Sequence, residues 1–171
     1  TLGEAVSKTW TNATGDLNWY TSGNWSPSGA PAAGEYATID RTEIVTVSAS
    51  SPPVSFAGLR LGGANAPTLK ISTGLAASAG WLEVLNGAAF LQNSTQTLRL
   101  SSATVFTGGL LTHTVNAGAR SYALNLVATG DFTVQAGATI SVAAKGYGGS
   151  SGIGTSGSGP GGGTAGGSGG G

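Results

Sequence analysis

Apolar and polar residues alternate along most of this chain with a period of two. The stretches "YATID" and "EIVTVSA" set the pattern, and "LRL", "TLKIS", "WLEVL", "LRLSS", "TVF", "HTV", "YALNLVA", "DFTVQA" and "TISVAA" carry it on to Ala144. Successive side chains of a strand point to opposite faces, so such alternation, enriched in Val, Ile and Thr, predicts strands with one buried face. Between them lie "SASSPPVS", "GGANAP", "NSTQ" and "NAGARS", whose Gly, Pro, Asn and Ser supply turns. No ten-residue segment has the spacing of an amphipathic helix, and the fold class expected is all-β.

A loose repeat overlies the strands. An apolar strand end stands three residues before a glycine at Ile71 and Gly74, Val84 and Gly87, Val115 and Gly118, and Val134 and Gly137, and the last three of these glycines are followed by Ala88, Ala119 and Ala138. A strand, a turn glycine and a small residue recur where a coiled chain turns each corner of a β-solenoid. The pattern therefore predicts a right-handed parallel β-helix, or β-solenoid, over residues 41–145. The spacings are unequal, and a β-sandwich or jelly roll using V-x-x-G at hairpin ends is the alternative.

Residues 1–40 differ in composition from the rest of the chain. Trp10, Trp19, Tyr20 and Trp25 lie there among polar turn residues, ahead of the first strong strand at Tyr36–Ile39. Three roles fit such a cluster. It can cap the end of a solenoid, where open strand edges would otherwise template aggregation. It can anchor a neighbouring subunit, or it can form a flat platform for sugar rings. Coplanar exposed rings favour the platform, whereas burial ends it.

Residues 146–171 are glycine-rich. Counting in threes, Gly154, Gly157, Pro160, Gly163, Gly166 and Gly169 lead successive triplets, and Tyr147 stands at the start of the segment. Polyproline II has three residues per turn, which leaves one nearly side-chain-free face for close packing and spans roughly 80 Å over this tail. Holding the tail in one conformation costs on the order of 25–50 kcal/mol, because glycine loses the most backbone freedom. The tail is accordingly expected to pack as an extended element against other copies of the chain.

Composition sharpens the picture. Seven acidic residues balance seven basic ones, and charged residues make up only 8% of the 171. That leaves no electrostatic footprint for nucleic acid or an anionic surface, and it favours self-association. There is no cysteine, no methionine and no apolar run long enough to cross a bilayer as a helix. The chain opens Thr1-Leu2-Gly3 and is expected to be a mature, exported segment of a prokaryotic surface protein.

Candidate chemistry is sparse. His113 is the single histidine and alternates with apolar residues in "LLTHTVN", as a strand histidine does. The carboxylates Glu4, Asp16, Glu35, Asp40, Glu43, Glu83 and Asp131 are scattered singly, and "IDRTE" at 39–43 reads as a hairpin turn neutralised by Arg41. No calcium-loop spacing occurs, and the glycine-rich "GSGPGGG" lacks the strand and helix that a dinucleotide site needs. Asn12, Asn24 and Asn93 begin glycosylation sequons of the kind a Ser/Thr-rich chain produces by chance. Neither enzyme activity, cofactor nor metal is expected.

The order Trp10-Thr11, Gly15-Asp16 with Trp19, Asn24-Trp25-Ser26, Pro31 and Ala37 with Ile39-Asp40, followed by "VTVS" and "LRLGG", resembles the start of β-helical stalks in bacterial secreted surface proteins of the autotransporter-passenger and adhesin type. "FTVQAGATISVAAKGYGGSSG" is similar to their passage from strand to glycine-rich segment. The resemblance covers much of the chain. It implies an extracellular β-helical scaffold doing structural or adhesive work, with no catalytic residue to carry over. The function expected is a self-assembling subunit of a surface filament, fibre or matrix whose partners are other copies of itself. The alternative is a cell-surface adhesin or carbohydrate-binding module taking surface polysaccharide.

Overall fold

The computed structural model describes residues 5–76, 79–149 and 155–159. The strands are β1 (Ser7–Trp10), β2 (Trp25–Ser26), β3 (Tyr36–Ile39), β4 (Ile44–Val47), β5 (Gly58–Leu61), β6 (Thr68–Ile71), β7 (Trp81–Val84), β8 (Ala89–Gln92), β9 (Leu98–Leu100), β10 (Ser102–Val105), β11 (Leu110–His113), β12 (Leu126–Ala128), β13 (Phe132–Val134) and β14 (Thr139–Ile140). The one helical element among the described residues is a short 3-10 turn at Ser22–Asn24. The all-β class expected from the alternation is what the chain adopts.

One sheet runs β13-β10-β7-β5-β3-β1-β2, a second runs β14-β11-β8-β6-β4, and β9 pairs with β12. All of these pairings are parallel except β1 with β2. Parallel neighbours cannot be joined by a tight hairpin, so the chain leaves each strand for another sheet and returns beside the strand it left. The turn at Asp40–Glu43 is thus a corner between β3 and β4, in different sheets, and the hairpin expected there is corrected. Asp40 ties this corner to the turn between β5 and β6, its carboxylate accepting from the backbone N–H of Ala64 at 3.1 Å and Asn65 at 2.7 Å.

Register places like on like. In the first sheet Ala37, Leu59, Leu82 and Ala103 stack in one buried column, and Ile39, Leu61, Val84 and Val105 in the next. In the second sheet Val45, Leu69, Phe90 and Leu111 form a third. Full burial of such a side chain contributes about 1.5–3 kcal/mol, so each added strand brings its own share of core. Residue 40 marks no break, because β3 pairs with both β1 and β5, and Trp10, Trp19 and Trp25 belong to the same buried cluster as Leu111.

The corner from the first sheet to the second is made by Gly87, Gly108 and Gly137, with φ of +75°, +77° and +79°. Their backbones form a ladder of their own, Gly87 N–H donating to the Gly108 carbonyl at 3.0 Å and Gly108 N–H to that of Gly137 at 2.9 Å. Gly87 and Gly137 are legible in the sequence as corners. Gly108 stands at the same spacing from Val105 and makes the same corner, while Gly74 and Gly118, which the repeat includes, do not have the left-handed backbone. Gly108→Ala is expected to destabilise by about 1–2 kcal/mol, since the left-handed region disfavours L side chains. Asn86 also stands where the new methyl would go. Thermal unfolding should show a fall in Tm of roughly 2–8 °C. Gly118→Ala, with open space around it, should leave Tm nearly unchanged.

Candidate functional site at the ends of the sheets

At the N-terminal end the aromatic residues turn inward. Trp10 lies on β1, Trp25 on the antiparallel β2, and Trp19 is held along β4 by its N–H donating to the Thr46 carbonyl at 3.0 Å. All three are buried, packed edge to face with ring centroids 5.1 Å apart for Trp10 and Trp25 and 4.8 Å for Trp19 and Trp25. Trp25 Nε1 donates to the Trp19 carbonyl at 2.7 Å and Trp10 Nε1 to Glu43 Oε2 at 2.9 Å. Tyr20 is half-buried, its hydroxyl donating to the Pro52 and Pro53 carbonyls. The three tryptophans therefore form no exposed platform for sugar, and that expectation is corrected; Tyr20 keeps part of its ring at the surface.

A polar knot ties this end together. Buried Asn24 donates from Nδ2 to Asp16 Oδ1 at 2.6 Å and to the Asn18 carbonyl, while its Oδ1 accepts from the N–H and hydroxyl of Thr14. The Thr21 hydroxyl, then the Asn18 N–H, then Asn24 hold the Asp16 carboxyl down at about 2, against a usual 3.8. Burial pushes the Glu43 carboxyl up, but hydrogen bonds from Trp10, Asn12 and Arg41 outweigh it and leave the group below its ordinary value.

Both large sheets are closed here. β2 covers β1, and Leu17–Trp19 run along β4, with Asn18 paired to Thr46. Lys8 ends the column that begins with Ala37; its Nζ donates to the Ser28 carbonyl at 2.9 Å and lies 3.8 Å from Glu35 Oε1.

The C-terminal end is different. Phe132 and Val134 continue the columns of Ala103 and Val105, and Ile140 continues that of Leu111. Their predecessors are at most 2% exposed, whereas Phe132 is 39%, Val134 44% and Ile140 48% exposed. These side chains sit at core positions with no described strand beyond them.

His113 stacks on Gln92 at the inner end of β11, and its Nδ1 lies 2.6 Å from the Thr114 carbonyl. Beside it opens a groove of about 350 Å³ whose lining includes Arg120, Tyr122, Lys145 and Tyr147. Asn116, also in that lining, is committed to the fold through bonds to the backbone of Ser121, Tyr122 and Lys145. Of the tail residues singled out for assembly, Tyr147 and Gly157 are described, and Gly159 lies against the Tyr147 ring. Gly154, Pro160, Gly163, Gly166 and Gly169 lie outside the described residues.

One surface feature is not visible in the alternation. Tyr36, Gly58 and Trp81 occupy one outward column, and the Trp81 indole lies over Gly58 to reach within 5.9 Å of the Tyr36 ring, the planes 30° apart. On the next outward column Arg60 Nε meets Glu83 Oε2 at 2.8 Å. Aligning "YATI", "GLRL" and "WLEV" in parallel would have found both pairs; alternation alone does not say which strands are neighbours.

No protein-family model, curated protein or solved structure matches this chain. Among the described residues no group of three or more His, Cys, Asp or Glu is placed to hold a metal ion, and no helix is long and apolar enough to cross a membrane.

Two changes probe the N-terminal knot. Trp25→Ala should cost about 3–5 kcal/mol, as loss of a large buried aromatic does, and lower Tm accordingly. For Asp16 the carboxyl is depressed on folding, so its contribution is present above pH 3.8 and disappears as pH falls toward 2. Asp16→Asn should flatten the stability profile across that interval, measured by denaturant titration at each pH.

Proposed function

We propose that the chain is an extracellular structural protein, a β-solenoid subunit that self-assembles in a surface filament, fibre or matrix. The observation that carries this reading is the in-register parallel stack, in which each pass of the chain sets side chains on equivalent side chains of the pass before. A sandwich or jelly roll is built of antiparallel strands, so the parallel pairing supports the solenoid over that alternative. Strand, crossover and parallel strand in one sheet are right-handed in the great majority of proteins, which makes a right-handed coil the form proposed. The tryptophan end serves as its cap, as terminal units of repeat proteins do.

Extracellular and prokaryotic origin rest on the resemblance to secreted β-helical stalks and on the cysteine-free, nearly uncharged composition. Other copies of the chain are the partners proposed, with no role for nucleic acid, cofactor or catalysis. The polyproline II form of the glycine tail, and its part in joining copies, remain within the proposal.

A second reading has one observation in its favour. The outward Tyr36–Trp81 pair on a parallel sheet offers ring surface of the kind that sugars stack on, which would make the chain a polysaccharide-binding module. Sedimentation velocity and electron microscopy of the purified chain decide between them. Concentration-dependent oligomers or regular fibres, unchanged in Trp81→Ala, are the expected result. Monomers that co-sediment with insoluble polysaccharide, and lose that binding in Trp81→Ala, would replace the structural reading by the second.

A further inference from the structure

We propose that the open C-terminal end is a self-association surface that takes the same end of a second copy about a two-fold axis. The inference rests on the self-assembling reading and gives it one contact surface and the symmetry of that contact.

The first support is the core left uncovered. Phe132, Val134 and Ile140 stand in columns whose earlier members are fully enclosed, and they are large apolar residues at positions that burial would reward. A parallel strand also turns half of its backbone N–H and C=O groups to each side. Among the described residues β13 pairs only with β10, β14 only with β11 and β12 only with β9, so each has one edge with no described strand beside it. These strands read "LVA", "FTV" and "TI", with neither charge nor proline to discourage pairing.

The second support is what can fill the end. The opposite end of another copy cannot, because antiparallel β2 covers β1, Asn18 pairs along β4, and the Lys8 ammonium closes an inward column. An inward charge at a strand edge is a recognised guard against edge pairing. The sequence from 150 to 171 has Ile153 and Ala165 as its aliphatic side chains apart from the proline ring, little apolar surface to set against these columns. Residues 155–159 lie by Gly148 and Tyr147, with Ser158 N–H donating to the Gly148 carbonyl at 2.9 Å. A second copy brings another Phe132, Val134 and Ile140, and an uncharged edge meets its own image without repulsion.

The two-fold follows from these constraints. With the other end covered among the described residues, like end meeting like end is an isologous contact, which pairs two copies at this surface and leaves longer assembly to the glycine tail. An axis through the middle of β13 sets the two β13 strands antiparallel with Thr133 opposite Thr133. Flanking β12 of one copy then meets β14 of the other.

The test uses the full chain, which has no cysteine of its own. Sedimentation equilibrium is expected to show a monomer–dimer equilibrium. The double variant Phe132→Lys, Val134→Lys should weaken it by more than about tenfold, because it brings like charges together in a buried contact. Both positions are part-exposed in the single chain, so far-UV circular dichroism should be unchanged. Under oxidation Thr133→Cys should give a disulfide-linked dimer, and Ser26→Cys on β2 should not. Larger oligomers or fibres that form equally well in the double lysine variant would overturn the proposed surface while leaving the structural function standing. A wild-type chain that is monomeric at its highest soluble concentration would overturn both. Efficient cross-linking through Ser26→Cys but not Thr133→Cys would assign the contact to the other end and overturn the two-fold.

Discussion

The structure depends on parallel register. A strand that lies one residue out of step with its neighbour would turn its apolar set outward, so each pass is held in step by the columns it continues. Leu59 is buried because Ala37 lies on one side of it and Leu82 on the other, and the same holds for Leu61 between Ile39 and Val84. The glycine corners serve this constraint. Their left-handed backbone turns the chain from the first sheet to the second at the same point of successive passes, and their mutual hydrogen bonds keep those points aligned.

How much of this is legible in the sequence depends on what alternation encodes. It states which face of a strand is buried, and "YATI", "TLKI" and "WLEV" all behave as their patterns require. It does not state which strand lies alongside. For that reason the corner at Asp40–Glu43 reads as a hairpin, and Trp81 gives no sign of its place over Gly58. β8, within "AAFLQ", sets Phe90 and Leu91 side by side, so its sequence does not alternate and the pattern does not mark it. β11 begins at Leu110, three residues before the stretch that the pattern picks out.

The aromatic cluster shows a different limit. Trp10, Trp19 and Trp25 are surrounded in sequence by Asn, Thr, Asp and Ser, which reads as surface. Those polar residues bond to one another and to the backbone around Asn24, and the rings fill the space behind them. At the other end the error would run the opposite way. Phe132, Val134 and Ile140 have the pattern of core residues, and only the absence of a described strand beyond them makes them surface.

The unlike ends also give the fold a direction in time. The closed end contains residues that leave the ribosome before those of the open end, and its rings and polar knot can form from the first four strands described and the turns between them. Each completed pass then presents an edge on which the next can align, so assembly can follow the order of emergence. Each added pass covers one edge and opens another, so the exposed edge does not grow as the stack lengthens.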